Sequence, residues 1–249
     1  MRSGYCSPRC MPSYGTGHRG YHGVAHRLVS GRAGGGVPGD NPWWDPNGEG
    51  LCVWAAYQPK GAVDLATSYL DLSGNGNNTG PGVAPTWDAV NGWKFNGTTQ
   101  YLTTGFVPEV DQSQTCLCQF SDVPDDHGGV LFGMRNTTGV DYHFLVLPDN
   151  GVGHARYANG DPVVTVTDAG YNAGNAGVAG NYGYKDGLVH SPVLLASPVG
   201  PIYALWIGGL NRDGALSVPI QAYVQSFAIY DCTLTAPQVL SVATAMALL

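Results

Sequence analysis

A chain of 249 residues can hold one large β domain or two small ones, and its composition disfavours helices. Only 12% of its residues are charged, 37 are Gly and 17 are Pro, while Lys and Glu, which helix surfaces use heavily, are scarce. The net charge of −7 is uneven: residues 1–40 carry five arginines against the single acid Asp40, whereas the remainder carries six basic and seventeen acidic residues. That split describes a basic arm on an acidic body, the arm being either a docking segment for an acidic surface or a solvated leader. No stretch approaches the ~18–20 apolar residues of a membrane span. The opening MRSGYCSPRCMPSYGTGHRG lacks the apolar core of a secretory signal, so synthesis in a cytoplasm, without export by that route, is expected.

Residues 1–49 read as a Gly-rich arm and linker, with GRAGGGVPGD at 31–40 as the joint. From residue 50 the pattern changes. Leu51–Tyr57 is a short apolar run suited to a buried strand, and 62–70 is a short helix or a loop. Asp71–Pro81 is dense in turn formers. Short strands follow at Trp93–Phe95, Tyr101–Phe106, Thr115–Phe120 and Val130–Met134, bounded by Asn-Gly, Pro-Asp and Gly-Gly signals. Tyr142–Leu147 and Gly153–Tyr157 flank Asp149-Asn150-Gly151, a hairpin signature. Val163–Val166, Ile202–Ile207 and Ala222–Tyr230 add three more strands, and Ala169–Asp186 is a strand pair with small residues or a long loop. A helix closes the chain: Thr235 is its N-cap, Pro237 sits in the first turn, and Val239, Val242, Ala243 and Met246 recur at helical spacing. About ten short strands with regular turns predict an all-β, two-sheet antiparallel jelly-roll sandwich over residues 50–249, with a short C-terminal helix and an extended N-terminal arm.

Two stretches carry a family resemblance. Asp71–Gly80 (DLSGNGNNTG), followed by Gly92–Gly97 (GWKFNG) and Gln100–Leu102, resembles the opening of laminin-G-like, concanavalin A-like jelly rolls. Phe227–Val239 (FAIYDCTLTAPQV) resembles the family's closing strand, turn and short helix. Their positions at opposite ends of residues 50–249 suit one complete domain. In that setting Phe95 and Tyr101 are expected to point inwards from adjoining strands around Asn96-Gly97, and Leu234 to anchor the loop before the helix. The text from Trp54 to Pro108 also resembles proteins of this class encoded by bacteriophages and prophages, which implies a virion surface component.

The chemistry legible in the sequence is sparse. Glycoside hydrolysis needs two carboxylates about 5–9.5 Å apart, yet the chain has only Glu49 and Glu109 among its glutamates, and adjacent Asp125 and Asp126 would face opposite sides of a strand. No Gly-x-Ser-x-Gly elbow or phosphate-binding loop occurs. No catalytic, cofactor-binding or metal residue is therefore assigned, and no enzyme activity is expected. Cys6, Cys10, His18, His22 and His26 have zinc-like spacing, although the interval between the Cys and His pairs is short for a zinc finger. Asp71 with Asn75 or Asn77, or Asp125, Asp126 and Asp141, could supply calcium oxygens. Trp43-Trp44, Trp87, Trp93, Trp206 and the Tyr182/Tyr184 loop are candidate sugar platforms, with Trp93 and Trp206 more consistent with core. Cys116 and Cys118 share a strand face, and the cysteines are expected as buried free thiols rather than a disulfide framework.

These observations give two expectations. The first is a non-catalytic bacteriophage structural protein, a capsid decoration or head or tail fibre component, located in the virion. Its N-terminal arm would attach it to other virion subunits, and it would be a homo-oligomer. The second is a carbohydrate-binding module or adhesin that recognises a glycan. Neither nucleic acid nor a membrane is expected as a partner, and no cofactor is implied.

Overall fold

In the computed structural model the alternation of apolar and polar residues becomes two sheets packed face to face. The structure describes residues 41–109, 111–125, 128–137, 142–149, 153–160, 163–168, 171–191 and 202–249. Strand β1 (Val53–Tyr57) is followed by the single-turn helix α1 (Leu65–Ser68), then β2 (Gly80–Val83), β3 (Thr86–Asp88), β4 (Gly92–Asn96) and β5 (Tyr101–Thr103). The middle of the chain supplies β6 (Thr115–Ser121), β7 (Phe132–Asn136), β8 (Tyr142–Asp149), β9 (His154–Gly160) and β10 (Val164–Thr167). Next come β11 (Gly174–Ala179), β12 (Tyr182–Lys185), β13 (Leu188–Ser191), β14 (Trp206–Ile207), β15 (Leu210–Arg212) and β16 (Ala215–Ser217). The long β17 (Gln221–Tyr230) and helix α2 (Ala236–Ala247) end it.

The first sheet runs β13-β12-β11-β6-β17-β4-β3, with β1 alongside the second half of β17. The other runs β10-β9-β8-β7-β14-β5-β2, and the β15–β16 hairpin joins it through a parallel pairing of β15 with β7. Alternation along each strand sends one set of side chains between the sheets. Cys116, Cys118 and Phe120 of β6 meet Phe132, Phe144 and Val146 of the opposite sheet in one apolar core, which also buries Tyr57, Trp93, Phe95 and Phe227. The two thiols thus share the inner face, as their spacing predicts.

Tyr101 differs from expectation. Strands β4 and β5 belong to different sheets, so residues 97–100 cross between layers instead of turning a hairpin. Phe95 points into the core, but on β5 it is Leu102 that does so. Tyr101 stacks on Trp206 with ring centroids 4.1 Å apart, and it lies so close over Gly82 that a Cβ there would come within 2.1 Å of the ring.

The turn-rich stretch after α1 is an ordered clip. The Asp71 carboxylate accepts from the Ala56 amide (3.0 Å), from the amide and hydroxyl of Ser73 (2.9 and 2.7 Å) and from the Asn77 amide (3.1 Å). The side-chain amides of Asn75 and Asn77 donate to the Val53 and Trp54 carbonyls of β1, and the Tyr57 hydroxyl returns a bond to the Asn77 carbonyl. The loop therefore satisfies the open edge of β1, which pairs on its other side with β17.

Helix α2 covers the outer face of the first sheet. Val239, Val242, Ala243 and Met246 are the buried residues of its stripe, and three of them meet Leu117, Tyr184, Ala228 and Tyr230, with Leu234 anchoring the approach. Trp43 is buried in the same cluster, and the Trp44 carbonyl accepts from the Tyr230 hydroxyl at 2.9 Å. Cys52 and Cys232 form a disulfide across 180 residues of sequence, with Cα atoms 6.0 Å apart. This corrects the expectation of free thiols for that pair, whereas Cys116 and Cys118 are free and buried. The pairing joins β1 to the start of α2, and no local spacing announces it.

Two stability predictions follow from the clip and the crosslink. Asp71→Ala orphans several donors at once and should cost about 3 kcal/mol in urea unfolding; an unchanged midpoint would show that the clip is dispensable. Replacing both Cys52 and Cys232 by Ser should lower stability by at most about 5 kcal/mol, the loop-entropy ceiling for so long a closure. A variant as stable as the oxidised parent would remove the crosslink from the account.

Candidate functional site

Three regions outside the apolar core concentrate polar chemistry. The first is the outer face of the second sheet. Register places Leu210, Gly133, Leu145 and Ala158 in one row across β15, β7, β8 and β9. At Gly133 a Cβ would lie 2.8 Å from the Leu145 Cβ and 3.0 Å from Leu210 Cδ1, so the absence of a side chain sinks the floor of this face. The next row carries Leu147, Arg156 and Thr165. The result is a depression of about 180 Å³ with an apolar floor of Val130, Leu145, Leu147 and Leu210 and a rim bearing Arg135, Arg156 and Thr165. The neighbouring Asp213 carboxyl is held below the usual range by hydrogen bonds from the hydroxyl and amide of Thr137, and further by the charges of Arg212 and Arg135.

The second region is an open cleft of about 400 Å³ lined by Asp122, Val123, Pro124, Asp125, Asn172 and Ala173. It is larger but acidic, and Asp122 takes a left-handed backbone (φ 59°) to turn the chain at the end of β6.

The third is a hydrogen-bonded chain at the edge where β10 approaches β13. Asp168 accepts from Lys185 Nζ at 2.5 Å and lies 3.4 Å from His190 Nε2. His190 Nδ1 is 2.8 Å from the Tyr157 hydroxyl, which donates to the Tyr171 hydroxyl at 3.1 Å. Lys185 also sits 4.7 Å from the centre of the Tyr171 ring. The order Asp-His-Tyr resembles a proton relay, but both tyrosines are fully buried and present no oxygen to a substrate. Burial pushes both phenols up, so neither is a nucleophile near neutral pH. Burial also lowers His190, opposed by Asp168 and reinforced by Lys185. The chain is best understood as satisfying buried polar groups where the two sheets meet.

The residues singled out from sequence are distributed elsewhere. The Asp71 carboxylate and the side-chain N–H groups of Asn75 and Asn77 are engaged in the clip, which gives these three residues a structural role. Asp125 lines the acidic cleft, whereas Asp126 and Asp141 lie outside the described residues, as do Cys6, Cys10, His18, His22 and His26. Among the described residues no group of three His, Cys, Asp or Glu side chains is placed to hold a metal. Glu49 accepts from Asn47 and from Gln238 at the start of α2, while Glu109 lies in the loop before β6, its amide bonded to Gln114. Burial raises both free thiols. Of the aromatic candidates, Trp93 is core and Trp206 and Tyr184 are buried; Trp87 is half-buried, its indole bonded to the Pro59 carbonyl, and Trp43 packs edge-on against Trp44. Tyr182 alone among them is exposed. Sequence reasoning missed the arginine-rimmed depression, because Arg135 and Arg156 meet only through strand register.

No protein-family model and no curated protein sequence matches the chain. Solved structures do. A botulinum neurotoxin serotype D binding domain superposes with a TM-score of 0.56 at 12% identity, covering 78% of this chain and 51% of that one. The same serotype's ligand binding domain in complex with N-acetylneuraminic acid gives 0.54 at 11% identity, over 78% and 50%. Trypanosoma rangeli sialidase, as a covalent intermediate with 2,3-difluorosialic acid, gives 0.55 at 15% identity, over 77% and 32%. The chain thus spans about a third of the sialidase and half of the toxin domain, and at these identities the likeness establishes the fold.

The edge cluster has a pH consequence. As pH falls through about 6.5 the unfolded chain protonates His190 before the folded chain does, so the folded state is at full stability above that pH and loses stability below it. Thermal unfolding followed from pH 7.5 to 5 should therefore be flatter for His190→Gln than for the parent. Parallel curves would remove His190 from the acid response.

Proposed function

We propose that this sandwich is a non-catalytic carbohydrate-binding module whose ligand is a carboxylate-bearing sugar, seated on the outer face of the second sheet. The observation that carries this is the pairing of two guanidinium groups with an apolar floor in one depression. Guanidinium presents a planar fork of donors that matches a carboxylate bidentately, while Leu145, Leu147 and Leu210 offer the C–H face of a pyranose, or an N-acetyl methyl, a dry surface. Beyond residue 40 the chain is acidic, with six basic against seventeen acidic residues, which favours an anionic ligand at this face over the Asp122–Asp125 cleft. The fold neighbours solved with sialic acid and N-acetylneuraminic acid support the same ligand class.

The aromatic residues do not form a sugar-stacking platform here, so affinity for a single sugar unit is expected to be weak and to rest on charge. The virion reading rests on the resemblance of Trp54–Pro108 to bacteriophage-encoded proteins, and the arginines of the arm that would attach it lie outside the described residues; the arginine-rimmed depression supports glycan recognition instead.

A glycan array should show sialylated oligosaccharides bound in preference to their desialylated counterparts. Arg135→Gln and Arg156→Gln should each weaken binding by roughly tenfold, as expected for losing one charged contact, and added salt should weaken it too. Equal binding of neutral and acidic glycans would contradict the arginine assignment, and silence towards all glycans would overturn the function.

A further inference from the structure

The outer face of the first sheet carries a polar rung beneath α2 that the fold does not require. Register aligns Ser226 of β17 with Gln119 of β6, and Gln119 with Asn175 of β11. Asp186, just after β12, continues the row: its amide donates to the Asn175 carbonyl and its Oδ1 accepts from the Asn175 amide, both at 2.8 Å. One step along the same strands, Leu117, Tyr184 and Ala228 make apolar contacts in the cluster under α2. An apolar rung would seal the helix onto the sheet equally well.

Instead three acceptors are stranded. Asn175 is 2% exposed and Ser226 is fully buried, and among the described residues Asn175 Oδ1, Gln119 Oε1 and Ser226 Oγ have no hydrogen-bond partner. A buried polar atom left without a partner is destabilising, and two of these three, on Gln119 and Asn175, line one cavity, which points to an occupant. Asn175 Nδ2 is turned to Met246 Sδ at 3.2 Å, which leaves the carbonyl oxygen as the unpartnered end. Gln119, Asn175 and Asp186 line an open-mouthed cavity of about 280 Å³, bordered by Ala243, Thr244 and Ala247 of α2.

The cavity is electronegative. Asp186 contributes a carboxylate, and the C-terminal half of α2 contributes the negative end of its dipole, with no basic residue in the last turn. Gly174 has φ +121°, and a Cβ on it would meet Asp186 Oδ1 at 2.4 Å, so glycine is what lets the carboxylate reach this position.

We propose that this cavity binds the primary ammonium group of a small molecule. An ammonium has three N–H donors and no acceptor, matching Asn175 Oδ1, Gln119 Oε1 and the Asp186 carboxylate. A divalent metal commonly collects several carboxylates, whereas this set holds one among neutral amides. The site is separate from the arginine-rimmed face and independent of the glycan reading.

The test is an NMR titration of the full chain at constant ionic strength with methylammonium and D-glucosamine. Tetramethylammonium, which has the charge but no N–H, and N-acetylglucosamine, which has the sugar but no ammonium, are the controls. Saturable shifts of the Asn175 and Asp186 amides are expected with the first two alone. Asp186→Asn, which retains the oxygen that accepts from the Asn175 amide, should weaken binding at least roughly tenfold, and Asn175→Asp should strengthen it, both with parental circular dichroism. No saturable shift, an equal response to tetramethylammonium, or saturation of the same residues by calcium chloride instead would overturn the proposal. Arg135→Gln should leave these shifts unchanged; their loss in that variant would contradict a separate site.

Discussion

The Asp71 carboxylate holds together a part of the molecule on which much else rests. Among the described residues strand β1 has β17 on one side and no strand on the other, and an unpaired edge so near the core would leave carbonyls and amides exposed. Asp71 gathers the Ala56, Ser73 and Asn77 donors, and the two asparagines it orders return their amides to the β1 carbonyls. With β1 fixed, Tyr57 stacks on Phe227 and the disulfide at Cys52 reaches the start of α2. The loop is rich in polar side chains because it substitutes for a strand, hydrogen bond by hydrogen bond.

The two outer faces diverge from this common frame. On the first sheet, α2, Trp43 and the Cys52–Cys232 bond cover the surface with apolar side chains, except along the Ser226–Gln119–Asn175–Asp186 rung. On the second sheet the leucines of β8 and β15 converge over Gly133, and arginines from β7 and β9 rim the depression. A chain so poor in cationic groups places two of the six basic residues beyond its arm in that one depression. This concentration of positive charge against an acidic background is what the proposed ligand surface rests on.

Much of the fold was legible locally. Thr235, Pro237 and the Val239–Met246 spacing define α2 to within its end residues, and the Asn-Gly and Pro-Asp signals separate real strands. Asp71–Gly80 was legible as turn-forming, but its role as a clip was not, since the β1 carbonyls it caps lie about twenty residues earlier. Short strands with little alternation, such as β2, β3, β13 and β16, escaped notice because exposed edges impose no pattern on sequence. The sites were less legible than the fold. Arg135 and Arg156 lie on strands separated by β8, Gln119 and Asn175 are joined by a pairing between distant strands, and Cys52 and Cys232 are separated by nearly the whole domain. Such constellations are products of register, and register is set by the packed core rather than by any single stretch.

The central claim is that the second sheet's outer face is where a ligand binds. Hydrogen–deuterium exchange of the intact chain, with and without a sialylated oligosaccharide, addresses it most directly. Protection concentrated on β7, β8 and β9, with the Asp122–Asp125 loop and the β11–β12 hairpin unchanged, is the predicted result. Protection confined to the acidic cleft or to the Tyr182 hairpin would contradict it.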